Sequence, residues 1–184
     1  AQAAADRADA LLLVNPYYNK PTQEGLYQHF ETIAEEIQIP QILYNIAGRT
    51  GVNITTETLV ELAQHPNIIG VKEASGDINQ IMDVIRRTAD DFMVLSGDDN
   101  LTYPLITLGG HGVVSVLSNL IPHDVKSLVD AALNGELQDA LDLHYRLLPL
   151  MRSCFIETNP IPIKTALALQ GKISESFRLP MCCM

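Results

Sequence analysis

The chain has 184 residues, 47% of them apolar, enough to bury one sizeable core, and no shift of composition divides it into independent domains. With 22 acidic against 12 basic residues the net charge is −10, which excludes a phosphate-backbone partner, since nucleic-acid binding needs clustered Lys and Arg. No apolar run approaches the roughly 20 residues of a membrane helix, and no basic region precedes a hydrophobic core at the N-terminus, so the expectation is a cytoplasmic protein with neither nucleic-acid nor membrane partner.

Ala1 to Asp9 is alanine-rich without turn residues and reads as the tail of a helix. Ala10-Leu11-Leu12-Leu13-Val14 is an uninterrupted apolar run closed by Asn15-Pro16, hence a buried strand, followed by the loop Tyr17-Tyr18-Asn19-Lys20-Pro21. Thr22 is the expected N-cap of a helix whose apolar stripe is Leu26, Phe30, Ile33 and Ile37, ended by Pro40. Gln41 to Asn45 is the next strand, running into the loop Ile46-Ala47-Gly48-Arg49-Thr50-Gly51. Thr55 or Thr56 caps a helix through Leu59 and Leu62. The run Ile68-Ile69-Gly70-Val71-Lys72 follows as a strand, bounded by Pro66-Asn67 and Ser75-Gly76. Asp77 to Ala89 is predicted helical, Phe92 to Leu95 a strand, Leu101 to Leu108 a helix and Val113 to Val116 a strand. Three helices complete the chain, over Pro122–Asn134, Leu137–Met151 and Ile163–Gln170.

The strand ends Val14, Tyr44, Lys72, Ser96 and Ser115 are 30, 28, 24 and 19 residues apart, which is the spacing of repeated strand–helix units. Eight such units make a barrel of about 250 residues, so five units read as part of one. The fold expected is α/β, a TIM (β/α)8 barrel represented by five of its eight strands over residues 1–121, with residues 122–184 a C-terminal helical extension. An open doubly wound sheet is the alternative on pattern alone, although its glycine fingerprint after the first strand is absent. A five-strand section also leaves two sheet edges in need of partners.

The three cysteines, Cys154, Cys182 and Cys183, give no disulfide framework, and the five histidines show no metal-ligand spacing, so no metal is expected. Chemistry is instead expected at the strand ends. Lys72 closes one strand, Tyr44 the strand before it, Arg49 lies in the following loop, and Tyr18 in the loop after the first strand, so a barrel places all four on one rim. A lysine held partly out of water has a lowered amine pKa, and its neutral form can attack a ketone to give a Schiff base. The iminium acidifies the adjacent methyl group and turns a 2-oxo acid such as pyruvate into an enamine nucleophile. A tyrosine hydroxyl can relay the protons, and an arginine fork matches a substrate carboxylate. Asp98-Asp99 reads as a helix N-cap pair and His111, between glycines, as a turn residue.

Pro16-Tyr17-Tyr18-Asn19, Leu43-Tyr44-Asn45 with Gly48-Arg49-Thr50-Gly51, Gly70-Val71-Lys72-Glu73-Ala74, Leu95-Ser96-Gly97-Asp98-Asp99, Gly109-Gly110-His111-Gly112-Val113 and Asn159-Pro160-Ile161-Pro162 together resemble the dihydrodipicolinate synthase family of pyruvate-dependent class I aldolases. The resemblance spans essentially the whole chain. It implies condensation of pyruvate with aspartate semialdehyde in lysine and diaminopimelate synthesis, without metal or organic cofactor, by a homo-oligomer built in the family as a dimer of dimers. It makes Lys72 the Schiff-base lysine, Tyr44 the proton relay and Arg49 the residue that holds the semialdehyde carboxylate. Tyr18 matches the tyrosine inserted across the dimer interface, Gly97 and Val114 line the pyruvate pocket, and Tyr17 matches a position associated with lysine feedback. Sialic acid lyase relatives generally lack an arginine at position 49, so Arg49 favours the synthase over that sibling aldolase. The family's Gly-Thr-Thr-Gly-Glu loop, source of a threonine in the relay, does not occur in these 184 residues. Two other readings follow: a non-catalytic section that needs further strands, and a sibling lyase with another acceptor.

Overall fold

Within residues 7–184, which the computed structural model describes, the first strand, β1, runs from Leu11 to Val14, so most of the helix tail expected before it lies outside the described residues. β2 (Gln41–Asn45), β3 (Ile68–Glu73), β4 (Met93–Ser96) and β5 (Gly112–Val113) follow at the expected intervals. Each strand pairs in parallel with its neighbour in sequence, giving the order β1-β2-β3-β4-β5. A doubly wound sheet reverses its strand order at a switch point. This one does not, and it winds in one direction as a barrel wall does. β1 and β5 each have a single partner, so two edges are unpaired among the described residues.

The connecting helices form for local reasons. In α1 (Gln23–Glu36) the Thr22 hydroxyl caps the first turn by accepting from the Gly25 amide at 3.2 Å, and Leu26, Phe30 and Ala34 are its buried stripe. Ile33, expected in that stripe, is only half-buried, because 3.6-residue periodicity brings Ala34 under Phe30. The helix stops at Glu36, before Pro40, where Ile37 turns extended and is itself buried. α3 (Thr56–Leu62) follows Thr55, and α4 (Ile78–Arg87) is capped by the Asp77 carboxylate, which accepts from the amides of Asn79 and Gln80. Arg86 and Arg87 at the far end of α4 complement its dipole. The remaining helices are α5 (Thr102–Thr107), α6 (Pro122–Leu133), α7 (Leu137–Ser153) and α8 (Ile161–Leu169). No helix among the described residues is long and apolar enough to cross a membrane.

Two expectations are corrected. The segment after β2, read as a loop, contains one helical turn, α2 (Ala47–Thr50), closed by the Thr50 hydroxyl on the Ile46 carbonyl and ended by Gly51 in the left-handed region at φ 75°. The last strand ends at Val113 rather than Val116. There the buried Asp99 carboxylate accepts from the amides of Val116 and Leu117 at 3.0 Å each, drawing the chain out of the sheet into a 3₁₀ turn over Leu117–Asn119.

Alternation along the strands gives the sheet two unlike faces. Leu43, Val71 and Val94 are buried in the main core with Leu26, Phe30, Leu59, Leu62, Ile81, Val84 and Leu105 from the helices. The opposite face carries Leu12, Val14, Ile42, Tyr44, Lys72, Met93 and Leu95, none of them fully buried, with Leu12 48% and Val14 43% exposed. Gly70 keeps that second face tight, since a Cβ there would lie 2.5 Å from the Met93 carbonyl oxygen of β4.

Candidate active site

The register of the sheet sets Val14, Tyr44, Lys72 and Leu95 side by side in one row across β1 to β4. Lys72 is half-buried, and its Nζ lies 4.0 Å from the centre of the Tyr44 ring. Burial lowers the pKa of this amine from the ordinary lysine value of 10.5, against the opposing pull of the Asp98 and Asp99 carboxylates. Burial raises the pKa of the Tyr44 phenol, with Asp98 adding to the rise and Arg49 opposing it. Burial therefore disfavours the charged form of each group, the ammonium of Lys72 and the phenolate of Tyr44.

Arg49 lies on α2, exposed, with Nη2 donating to the Asn159 carbonyl at 3.2 Å. That bond ties the loop after β2 to the start of α8, 110 residues away in sequence. Gly97 follows β4; its amide donates to the Glu73 carbonyl at 2.8 Å, and a Cβ there would sit 2.5 Å from the Ala74 Cβ, so β3 and the loop after β4 can meet only at a glycine. Val114, just beyond β5, is half-buried, and its amide donates to the Ser96 carbonyl at 2.9 Å. The structure thus brings Lys72 and Tyr44 into contact and sets Arg49, Gly97 and Val114 at the same ends of the strands. Tyr18 stands apart: it is 93% exposed, with a left-handed backbone at φ 67°, in the loop after β1.

Several residues of the site escaped sequence reasoning. Asp98 does occupy the N-cap position of a 3₁₀ turn over Asp99–Leu101, but its side chain makes no capping hydrogen bond. It is half-buried and electrostatically coupled to Lys72, and burial, reinforced by Asp99, raises its pKa. Asp99 serves the chain after β5, accepting from the Ser115 hydroxyl as well as from the two amides already named. His111 caps the β4–β5 junction, its Nδ1 accepting from the Val94 amide at 3.2 Å. The signal for Asp98 lay in its place two residues beyond a strand end, next to the row that holds Lys72. Among the described residues no three His, Cys, Asp or Glu side chains converge as a metal site would need.

Fold and site define a class: a β/α-barrel chain whose strand ends carry a partly desolvated lysine against a tyrosine, with an arginine in the neighbouring loop. A profile of the dihydrodipicolinate synthetase family matches residues 1–184, and the chain belongs to that family. It is 58% identical over 174 residues to the 4-hydroxy-tetrahydrodipicolinate synthase of Syntrophus aciditrophicus, covering 95% of this chain and 60% of that protein. The enzyme of the same name from Thermodesulfovibrio yellowstonii is 55% identical over 175 residues, again covering 95% of this chain and 60% of the relative. The crystal structure of dihydrodipicolinate synthase from Aquifex aeolicus superposes with a TM-score of 0.97 at 48% identity, covering all of this chain and 63% of that one. A pyruvate complex of the chloride-inhibited enzyme from Acinetobacter baumannii superposes with a TM-score of 0.97 at 44% identity, covering all of this chain and 63% of that one. The chain therefore spans about three fifths of the length of these relatives, and its sheet is five consecutive strands of their TIM-type barrel.

Proposed function

We propose that this chain carries the Schiff-base half of a 4-hydroxy-tetrahydrodipicolinate synthase, a lyase condensing pyruvate with L-aspartate 4-semialdehyde in lysine and diaminopimelate synthesis. The observation that carries this reading is the contact between the Lys72 amine and the Tyr44 ring in a half-buried row, with the amine pKa lowered by burial. The neutral Lys72 nitrogen attacks C2 of pyruvate, water leaves, and the resulting iminium accepts the electron pair released when C3 loses a proton. The enamine C3 then bonds to the aldehyde carbon as the carbonyl π electrons pass to its oxygen, which takes up a proton, and the iminium that re-forms is released from Lys72 by attack of water or of the semialdehyde's own amine. No metal or organic cofactor is needed for these steps, because the iminium is itself the electron sink. Tyr44 moves protons to and from the oxygen that leaves, Arg49 takes the semialdehyde carboxylate, and Gly97 and Val114 shape the space for pyruvate. Tyr18, exposed on its loop, is left to reach a second copy of the chain in a cytoplasmic homo-oligomer, a homotetramer in this reading. A relative of known structure is described as a monomeric variant, so subunit number is a variable within the family.

Borohydride reduction in the presence of pyruvate tests the reading. A reduced pyruvyl mass on Lys72 is the expected result, and an unmodified Lys72 in folded protein overturns it. Substituting Arg49→Ala leaves that adduct intact while raising KM for the semialdehyde; loss of the adduct instead would remove Arg49 from its assigned role.

A second reading is favoured by the two strand edges that are unpaired among the described residues and by Leu12 and Val14 exposed on the face that bears Lys72. In that reading the 184 residues bind pyruvate only when further strands cover the face. Size-exclusion chromatography with turnover assays separates the two, since an active monodisperse monomer removes the second.

A further inference from the structure

One residue beyond the row that holds Tyr44 and Lys72 come Asn15, just past the end of β1, Asn45 of β2 and Glu73 of β3, which alternation turns to the opposite face. All three are buried, at 0%, 0% and 1% exposure. Glu73 has no cation partner among the described residues. A buried carboxylate is tolerated only with donors in place of water, and here they are the Ser75 amide at 2.7 Å, Gln80 Nε2 at 3.1 Å and Asn45 Nδ2 at 3.1 Å. Asn45 in turn receives the Ile54 amide at 3.0 Å and Asn15 Nδ2 at 3.1 Å, and Asn15 also donates to the Val52 carbonyl at 3.1 Å. Asn53 donates to Gln80 Oε1 at 2.7 Å. The cluster thus joins the end of β1, β2, β3, the first turn of α4 and the segment 52–54 that follows the Arg49 turn.

We propose that Asn45, Glu73 and Gln80 are positioning residues for Lys72 and Tyr44, a hydrogen-bonded clamp behind the sheet that fixes where the two side chains meet in front of it. Tyr44 and Lys72 are each covalently adjacent to a clamp residue, and their backbones are paired in the β2–β3 register, so a slip at Asn45 or Glu73 is transmitted to them directly. Displacement of a reacting group by about 1 Å can cost on the order of a hundredfold in rate. None of the clamp side chains touches the reacting amine. The groups acting on Lys72 are Tyr44 from β2 and Asp98 and Asp99 from the segment after β4, none of them in the clamp.

The inference rests on Lys72 being the reacting amine, so its test has one arm that needs no keto acid. Glu73→Gln keeps the shape but sets an amide N–H₂ against the donors of Asn45 or Gln80. Gln80→Leu, at a half-buried position on α4, withdraws one donor and disturbs packing less. In the first arm, Lys72 is labelled with acetic anhydride across a pH series and the adduct is quantified by mass spectrometry. In the second, the rate of borohydride-trapped pyruvyl adduct is followed at neutral pH. A loosened clamp lets water reach the amine, so the labelling midpoint rises toward 10.5 and trapping slows about tenfold or more in Glu73→Gln, less in Gln80→Leu. Folded variants that melt earlier but label and trap Lys72 as the unaltered chain does would reduce the cluster to a stabilising role and overturn the proposal. Should Glu73→Gln fail to fold, Gln80→Leu decides by the same two readouts. If the unaltered chain traps no pyruvate, the Schiff-base reading fails, while the labelling arm still decides the clamp.

Discussion

Two rows of side chains cross the same strands one residue apart, and they obey opposite physics. Val14, Tyr44, Lys72 and Leu95 form the front row, half-buried or exposed, where the one contact of note is an amine against an aromatic face. Asn15, Asn45, Glu73 and Ser96 form the rear row, buried and densely hydrogen-bonded. The Ser96 hydroxyl donates to the Asp98 carbonyl at 2.7 Å and accepts from its amide at 3.2 Å, so the rear row also fixes the loop that carries the carboxylate acting on Lys72. A sheet lets a protein keep one face underpaired because the other face, reached by a single step along each strand, is held by hydrogen bonds between Asn15, Asn45, Glu73 and Gln80.

Substitutions that separate the rows follow from this, beginning with the largest effect. Lys72→Met in the front row is expected to abolish the trapped pyruvyl adduct altogether, as read by intact mass. The same variant should change the pH dependence of stability. A lysine whose folded pKa lies below its unfolded value binds fewer protons folded than unfolded, so its contribution to stability rises with pH between the folded value and 10.5. Denaturant melts across alkaline pH should show that rise in the unaltered chain and a flatter profile in Lys72→Met.

Tyr44→Phe comes next. It keeps the ring against the amine and removes only the hydroxyl, so adduct formation should slow by about a hundredfold, within the range typical of general acid–base catalysis. The melting temperature should hardly move, and a large fall would place Tyr44 among the structural residues instead.

In the rear row, Asn45→Ala strips donors from Glu73 and an acceptor from the Ile54 amide. A buried unsatisfied group costs about 1–3 kcal/mol, more when it is charged, so urea melts should show a loss of about 3 kcal/mol. A loss below about 1 kcal/mol would mean that water replaces the amide and that the rear row is not the dry scaffold described here. The smallest effect belongs to neither row. Arg86 pairs with Asp83 at 3.2 Å on the exposed face of α4, and Arg86→Ala should cost no more than about 0.5 kcal/mol with the Lys72 adduct unchanged.

Much of the front row could be read from the residues alone. Short apolar runs ending in Tyr44 and Lys72, at intervals suited to strand–helix units, are local signals, and the cap at Thr22 gave a helix start because capping is decided within four residues. The rear row was not legible. Asn45 and Glu73 stood inside the same motifs, yet beside the nearby Ser75 and Gln80 they depend on each other, on Asn15 and on Ile54, 9 to 30 positions apart, which only the assembled sheet brings near. Asp99 was misread as a cap for the same reason, its partners being 16 to 18 residues further on.

By itself, then, the order of residues determined the first four strands, the long helices and the lysine at a strand end, though not the turn at Ala47–Thr50 or the end of the last strand, because alternation, periodicity and turn chemistry act over a few neighbours. What the tertiary structure alone decided was register: which side chains stand abreast across β1 to β4, that Lys72 meets Tyr44, and that a buried carboxylate behind them is held by amides. Hydrogen bonds between distant segments are made only once the backbone is in place, and no local pattern encodes their partners in advance.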